Sequence, residues 1–339
     1  MGWNKNTPQE ILKYAIGALL YTPATHVSIA QDIITSKNKN LKSIALCLED
    51  AINDDSIEYA EKQLINTFSE LYMFANKDCL NIDGFPLIFI RVRDSSQMKR
   101  VFAKLKNFAE LITGFILPKY DTVNADKFTY ELHDINSQIK NGKIYVMPII
   151  ESSSVIGLES RAETLTKIKG TLDNIMNYVL NVRVGGNDLC NQFGFRRNKY
   201  NTIYDIGVMN NILADIINVF GQEYIVSAPV WEYFDNNVDS DWLKGLNAEL
   251  TLDKLNGFIG KTAIHPTQLL AIQEAMAVEY ADYQDAKNIL DWNDKILGVQ
   301  KSAYEHRMNE VKVHKRWAEK TLSIAEVYGV KSPNTICHI

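Results

Sequence analysis

The chain has 339 residues, a formal net charge of −5 and a sequence pI near 5.8, with 46% hydrophobic and 23% charged residues. This composition argues against disorder, and an acidic balance without a basic stripe argues against nucleic-acid binding, which needs many phosphate contacts. No stretch approaches the ~20 apolar residues of a membrane span. The segment Met1 to Gln9 lacks a signal-peptide layout, so we expect a soluble, cytoplasmic protein.

Eight short apolar runs follow one another along the chain: 18–21, 43–48, 87–92, 114–117, 144–150, 178–184, 224–228 and 261–264. Most are near-continuously apolar, as strands buried on both faces of a parallel sheet are. Between them, 56–75, 101–111, 155–168, 205–220 and 266–277 carry helical spacing. Strands alternating with helices predict a parallel α/β fold. A count of eight favours a closed (β/α)8 barrel over an open sheet. No GxGxxG follows any run, which speaks against a dinucleotide enzyme. We expect residues 1–278 to form the barrel and 279–339 a C-terminal helical extension, helical and charged to about residue 327, with a loosely structured tail containing Pro333. The extension must bury its scattered apolar residues on the barrel or on a neighbouring subunit.

The four cysteines, Cys47, Cys79, Cys190 and Cys337, form no CxxC pair, so neither a zinc site nor a redox motif is expected. The pair Arg196-Arg197 offers a local basic spot for one anionic ligand.

In a barrel of this type the chemistry sits at the carboxyl ends of the strands. Those ends carry His26, Glu49-Asp50, Arg91 and Arg93, Lys119, Glu151, Gly185-Gly186-Asn187-Asp188, Ser227-Ala228-Pro229 and His265. Two acids at neighbouring strand ends, Glu151 and Asp188, repel unless a cation or a shared proton intervenes. Oxygen donors with open positions suit Mg2+. Helix or turn capping is the competing role for both. An arginine closing a buried strand needs an anionic partner; for Arg91 that is Glu49 or Asp50, or a substrate oxygen.

These segments resemble a known family. Leu46-Cys47-Leu48-Glu49-Asp50-Ala51, Ile90-Arg91-Val92, Leu117-Pro118-Lys119, Pro148-Ile149-Ile150-Glu151, Gly185-Gly186-Asn187-Asp188-Leu189 and Ala263-Ile264-His265-Pro266 are similar, in the same order, to the HpcH/HpaI aldolase and citrate lyase beta-chain-like family. The opening Leu19 to His26 resembles its divergent TIM-barrel carbon–carbon lyase branch. The resemblance implies Mg2+ (or Mn2+) held by Glu151 and Asp188. It implies that Arg91 contacts a substrate oxygen and that Glu49 and Asp50 support the metal's water shell. It also implies a homo-oligomer, a trimer or hexamer, with the C-terminal helices between subunits. Three segments depart from the citrate lyase-like pattern: Pro23-Ala24-Thr25-His26, Arg93 in place of asparagine, and Ser227 to Glu232. All three help shape the pocket, which puts a citryl or acyl-CoA substrate in doubt.

The expected activity is therefore magnesium-dependent carbon–carbon bond cleavage of a small 2-oxo or 2-hydroxy acid or its thioester, or the reverse condensation. Arg91 would stabilise developing negative charge. The base is either His26 or a metal-bound water held by Glu49 or Asp50. Arg91, Arg93, Gly186, Asn187, Ser227 and Pro229 are the expected substrate contacts. A metal-dependent acyl-CoA thioesterase and a non-catalytic ligand-binding barrel are the alternatives.

Overall fold

A computed structural model describes residues 3–77, 84–237, 240–293, 296–302, 304, 306–332 and 335–337. Cys79 and Pro333 lie outside the described residues. Contacts divide the chain into two compact units, Met1–Ile272 and Gln273–Ile339.

The first unit is the expected barrel. Its strands are β1 (Ala18–Pro23), β2 (Ser43–Cys47), β3 (Leu87–Arg91), β4 (Gly114–Leu117), β5 (Tyr145–Ile150), β6 (Val182–Val184), β7 (Val226–Ser227) and β8 (Lys261–Ala263). All pair in parallel in the order β7-β6-β5-β4-β3-β2-β1-β8, and a parallel bridge from Ala228 to Lys261 joins the two ends of the ladder. Each of the eight falls within, or within two residues of, an apolar run of the sequence.

Helix α1 (Gln9–Ala15) precedes β1; the crossovers hold α2 (Ile29–Ile34), α3 (Ile57–Lys77), α4 (Ser95–Leu105), α5 (Ala125–Ser137), α6 (Leu158–Asp173), α7 (Gly186–Gln192), α8 (Gly207–Phe220) and α9 (Asp241–Leu255), and α10 (Gln268–Met276) follows β8. Local chemistry sets their limits. Asp94 caps α4, its carboxylate accepting from the Gln97 amide at 2.7 Å. In α3, Ala60, Leu64, Phe68 and Leu71 recur at helical spacing and are buried.

Alternation along each strand separates two layers. Ile44 and Leu46, Ile88 and Ile90, Val146 and Ile150, and Val182 and Val184 pack outward into the main core beneath the helices. The intervening residues, Tyr21, Cys47, Arg91, Ile149, Arg183 and Thr262 among them, face the barrel interior. Helix α9 meets the barrel differently. Lys261 lies 2.8 Å from both Glu249 and Asp253, and Arg197 lies 3.0 Å from Glu249, all of them buried. Arg197 is thus committed to an internal ion network, and Arg196 pairs with Glu232 at 3.3 Å.

The second unit holds the expected helices, α11 (Tyr280–Leu290) and α12 (Val311–Tyr328), and also strands absent from our reading. These are β9 (Val278–Glu279), an antiparallel ribbon of β10 (Val299–Lys301) and β11 (Met308–Glu310), and a terminal hairpin of β12 (Val330–Ser332) and β13 (Thr335–Cys337) that pairs with β9. Of the tail expected to be loose, the described residues 331–332 and 335–337 are paired backbone. Strands of two or three residues are too short to print a periodicity. Among the described residues no helix is long and apolar enough to cross a membrane.

Candidate active site

The carboxyl ends of β2 to β6 deliver six ionisable side chains to one place. Arg91 ends β3 and is 7% exposed. Its Nη2 lies 2.8 Å from Glu49, 2.9 Å from Asp50 and 3.4 Å from Glu151. Its Nε has no hydrogen-bond partner, and its guanidinium sits 5.6 Å from the centre of the Tyr21 ring.

Lys119, just beyond β4, is the second cation. Its ammonium lies 2.7 Å from Glu49, 3.3 Å from Asp50 and 4.0 Å from Asp188. Its backbone amide donates to Glu151 Oε1 at 2.9 Å. That orientation requires φ of +47°, a left-handed conformation that costs a non-glycine residue on the order of 1 kcal/mol or more. The Asn124 side chain holds the turn by donating to the Lys119 carbonyl at 2.9 Å.

Glu151 is 3% exposed. Burial, with Asp188 adding to it and Arg91 opposing, pushes its carboxyl up to about 7. Burial also raises Glu49, with its Asp50 neighbour contributing. Asp50 is less enclosed; against the effect of burial, the Glu49 contact, Arg91 and Lys119 hold it below the usual carboxylate range.

The chain closes on Glu151 at Gly185. A Cβ there would stand 1.9 Å from Glu151 Oε2. The Gly185→Ala variant should therefore displace that carboxylate. We expect it to lose divalent-metal affinity by about tenfold or more while retaining the barrel, a result that metal titration and circular dichroism together would check.

These groups border a cavity of about 430 Å3 lined by Tyr21, Asp50, Arg91, Ile149, Glu151, Arg183, Gly186, Asn187, Asp188, Asn191 and Thr262, with others. Of the residues singled out in the sequence, Arg91, Asp50, Glu151, Asp188, Gly186 and Asn187 line it, and Glu49 braces Arg91 and Lys119. Four expected contacts are placed elsewhere. His26 is exposed, with its ring 3.3 Å from the Ser28 hydroxyl. Arg93 turns away to the Leu48 carbonyl at 2.9 Å, to Asp54 and to the Ile52 carbonyl, tying down the loop after β2. Ser227 is fully buried and donates to the Ile259 carbonyl at 3.0 Å. Pro229 packs under Gly186, where an added Cβ would stand 2.7 Å from the proline Cβ. Conversely, Tyr21, Arg183 and Thr262 were not singled out. They lie within strands, and the signal for Arg183 was a charge in the middle of an apolar run.

The donor set suits a hard cation. Every donor atom that the four carboxylates offer is oxygen, and the Lys119 ammonium lies among three of the four acids. Among the described residues no three His, Cys, Asp or Glu side chains are arranged to hold a metal by themselves. Two carboxylates with water and substrate completing the shell is the usual arrangement for Mg2+.

A parallel barrel with its ionisable groups gathered at the carboxyl rim is the architecture in which barrel enzymes place their active sites. The sequence makes the class specific: a family model described as the C–C bond lyase of the TIM-barrel fold matches residues 10–330, and the chain belongs to that family of carbon–carbon lyases. No curated protein matches. Among solved structures, the chain is similar to CitE from Mycobacterium tuberculosis in complex with magnesium, acetoacetate and coenzyme A. There the TM-score is 0.60 at 17% identity, covering 92% of this chain and 99% of that one. It is also similar to a citrate lyase beta subunit from M. tuberculosis complexed with oxaloacetate and magnesium, with TM-score 0.51, 16% identity and coverage of 78% and 98%. RipC from Yersinia pestis gives TM-score 0.50, 17% identity and coverage of 78% and 95%. At these identities the likeness is one of fold.

Proposed function

We propose that the protein cleaves, or in reverse forms, a carbon–carbon bond in a small 2-oxo or 2-hydroxy acid, with Mg2+ held by Glu151 and Asp188. The observation that carries this is a charge imbalance. When all four are ionised, Glu49, Asp50, Glu151 and Asp188 supply four negative charges against two positive ones from Arg91 and Lys119, so −4 + 2 leaves −2 beside the cavity. One divalent cation cancels that. The similar CitE and citrate lyase beta structures contain magnesium with small oxygen-rich acids, which supports the same cofactor here.

Bound Mg2+ would act as a Lewis acid on the substrate's carbonyl or carboxylate oxygens. The remaining work falls to the chain. Cleavage beside a carbonyl leaves an enolate, and Arg91, which lines the cavity, donates to the oxygen that gains charge. Asp50 lines the cavity and is the more open of the two acids that follow β2, so it is the carboxylate placed to accept the substrate's hydroxyl proton. Lys119 holds Glu49 and Asp50 in place and its amide orients Glu151. His26 has no part in this scheme.

The test is product analysis with free 2-hydroxy acids and with their CoA thioesters, with and without Mg2+. Carbon–carbon cleavage that stops on adding a chelator is expected. Hydrolysis of the thioester with the carbon skeleton intact would assign the site to a thioesterase instead. No turnover and no metal binding would leave a non-catalytic barrel.

A further inference from the structure

Arg183 is the one charged residue of β6, between Val182 and Val184, which pack outward into the core. Alternation turns Arg183 into the barrel, where it lines the cavity at 1% exposure. The three other buried arginines each hold a carboxylate: Arg91 as described, Arg161 with Asp215 at 2.9 Å, and Arg197 with Glu249 at 3.0 Å. Among the described residues Arg183 has no carboxylate in ion-pair range. Its contacts are neutral: the Thr262 hydroxyl at 2.7 Å and the Asn181 side-chain oxygen at 3.5 Å. Tyr21 is its other polar neighbour, and its Nε has no partner at all.

An unpaired buried cation is strongly destabilising, and arginine cannot escape by losing its proton. A fold keeps such a group where a ligand supplies the counter-charge. Arg183 stands outside the cluster of four acids and two cations that Mg2+ would neutralise, so its charge needs a counter-ion of its own.

We propose that Arg183, with Thr262 and Tyr21, binds a carboxylate of the substrate other than the one at the metal, so that the substrate is a small dicarboxylic acid. This rests on the reading of Glu151 and Asp188 as the metal pair. A cavity of about 430 Å3 holds an acid of that size. A single guanidinium matches the charge of a carboxylate better than that of a dianionic phosphate, because Arg91, the other cation whose charge acts on it, already has three acids.

Calorimetry with malate, lactate and phospholactate in the presence of Mg2+ tests the assignment, since the first two differ by one carboxylate. The parent protein should bind malate at least about tenfold more tightly than lactate. Arg183→Gln should abolish that preference while leaving lactate and Mg2+ affinities unchanged. Tyr21→Phe should reduce it, which provides a milder variant should Arg183→Gln fail to fold. Equal binding of malate and lactate by the parent, or a tighter grip on phospholactate than on malate, would overturn the proposal. So would an equal loss of malate and lactate affinity in a folded Arg183→Gln protein. Acid binding that keeps its malate preference but ignores Mg2+ would instead remove the metal reading and leave Arg183 as an anion site.

Discussion

Glu151→Gln and Asp188→Asn, made separately, are expected each to weaken Mg2+ binding by at least about 100-fold and to lower turnover in parallel, because each removes a charged oxygen ligand. The two should differ without metal. Asn in place of Asp188, which is partly exposed and 4.0 Å from Lys119, should leave the fold nearly unchanged. Gln in place of Glu151 should make the metal-free protein more stable above neutral pH. The sign follows from the Glu151 carboxyl, raised from 4.5 to about 7 chiefly by burial. A carboxyl raised on folding contributes stability that is complete below its unfolded value and lost as pH climbs through its folded value. Metal-free protein should thus lose stability between about pH 5 and pH 8, by on the order of 1–3 kcal/mol from this group. Mg2+ should offset that loss, and Glu151→Gln should remove this part of the slope. Metal and proton compete for one site, so apparent Mg2+ affinity should fall about tenfold per unit below about pH 7. Thermal melts with and without Mg2+ across that range would show it. A slope identical in parent and Glu151→Gln would contradict the account.

Arg91→Leu should be the most damaging substitution at the site. Glu49, Asp50 and Glu151 share this one guanidinium, and two of the three are buried. Removing one partner of a buried ion pair costs about 3–5 kcal/mol, since it strands charge rather than merely losing a contact. Catalysis should fall by about 1,000-fold or more if Arg91 also stabilises the enolate. Arg91→Lys separates the two roles. An ammonium can balance charge but cannot span three acids and still present a free donor, so stability should recover more than activity does. Denaturant titration alongside kcat/KM for both variants gives the comparison. Activity within about tenfold of the parent for Arg91→Leu would remove Arg91 from the chemistry.

The barrel was legible because parallel strands are covered on both faces, so β2, β3 and β5 print as unbroken apolar runs. Helix α9 was not, because its inward face carries Glu249 and Asp253 against Lys261. Charge there replaces the apolar stripe that periodicity detects. Helix α5 carries the ordinary signal, with Ala125, Phe128, Leu132 and Ile135 at helical steps and all buried. At the site, strand ends point to Arg91, Asp50, Glu151 and Asp188, which the structure brings together around one cavity. They misled at Arg93. Two residues after Arg91 would mean the same face if the strand continued, but β3 stops at Arg91 and the chain turns into the Asp94 cap. The same rule passed over Arg183, Tyr21 and Thr262, which enter the cavity from within strands. Lys119 stood at a strand end, yet its role depends on a left-handed turn that no spacing displays.

The central claim is that Glu151 and Asp188 share a divalent cation. An anomalous-difference map from crystals soaked in Mn2+, as an electron-rich substitute for Mg2+, tests it most directly. We expect one strong peak at the carboxyl ends of β5 and β6, with Glu151 and Asp188 oxygens at about 2.0–2.2 Å and the remaining positions taken by water or added acid. A map with no peak there, or with the ion held by other side chains, would contradict it.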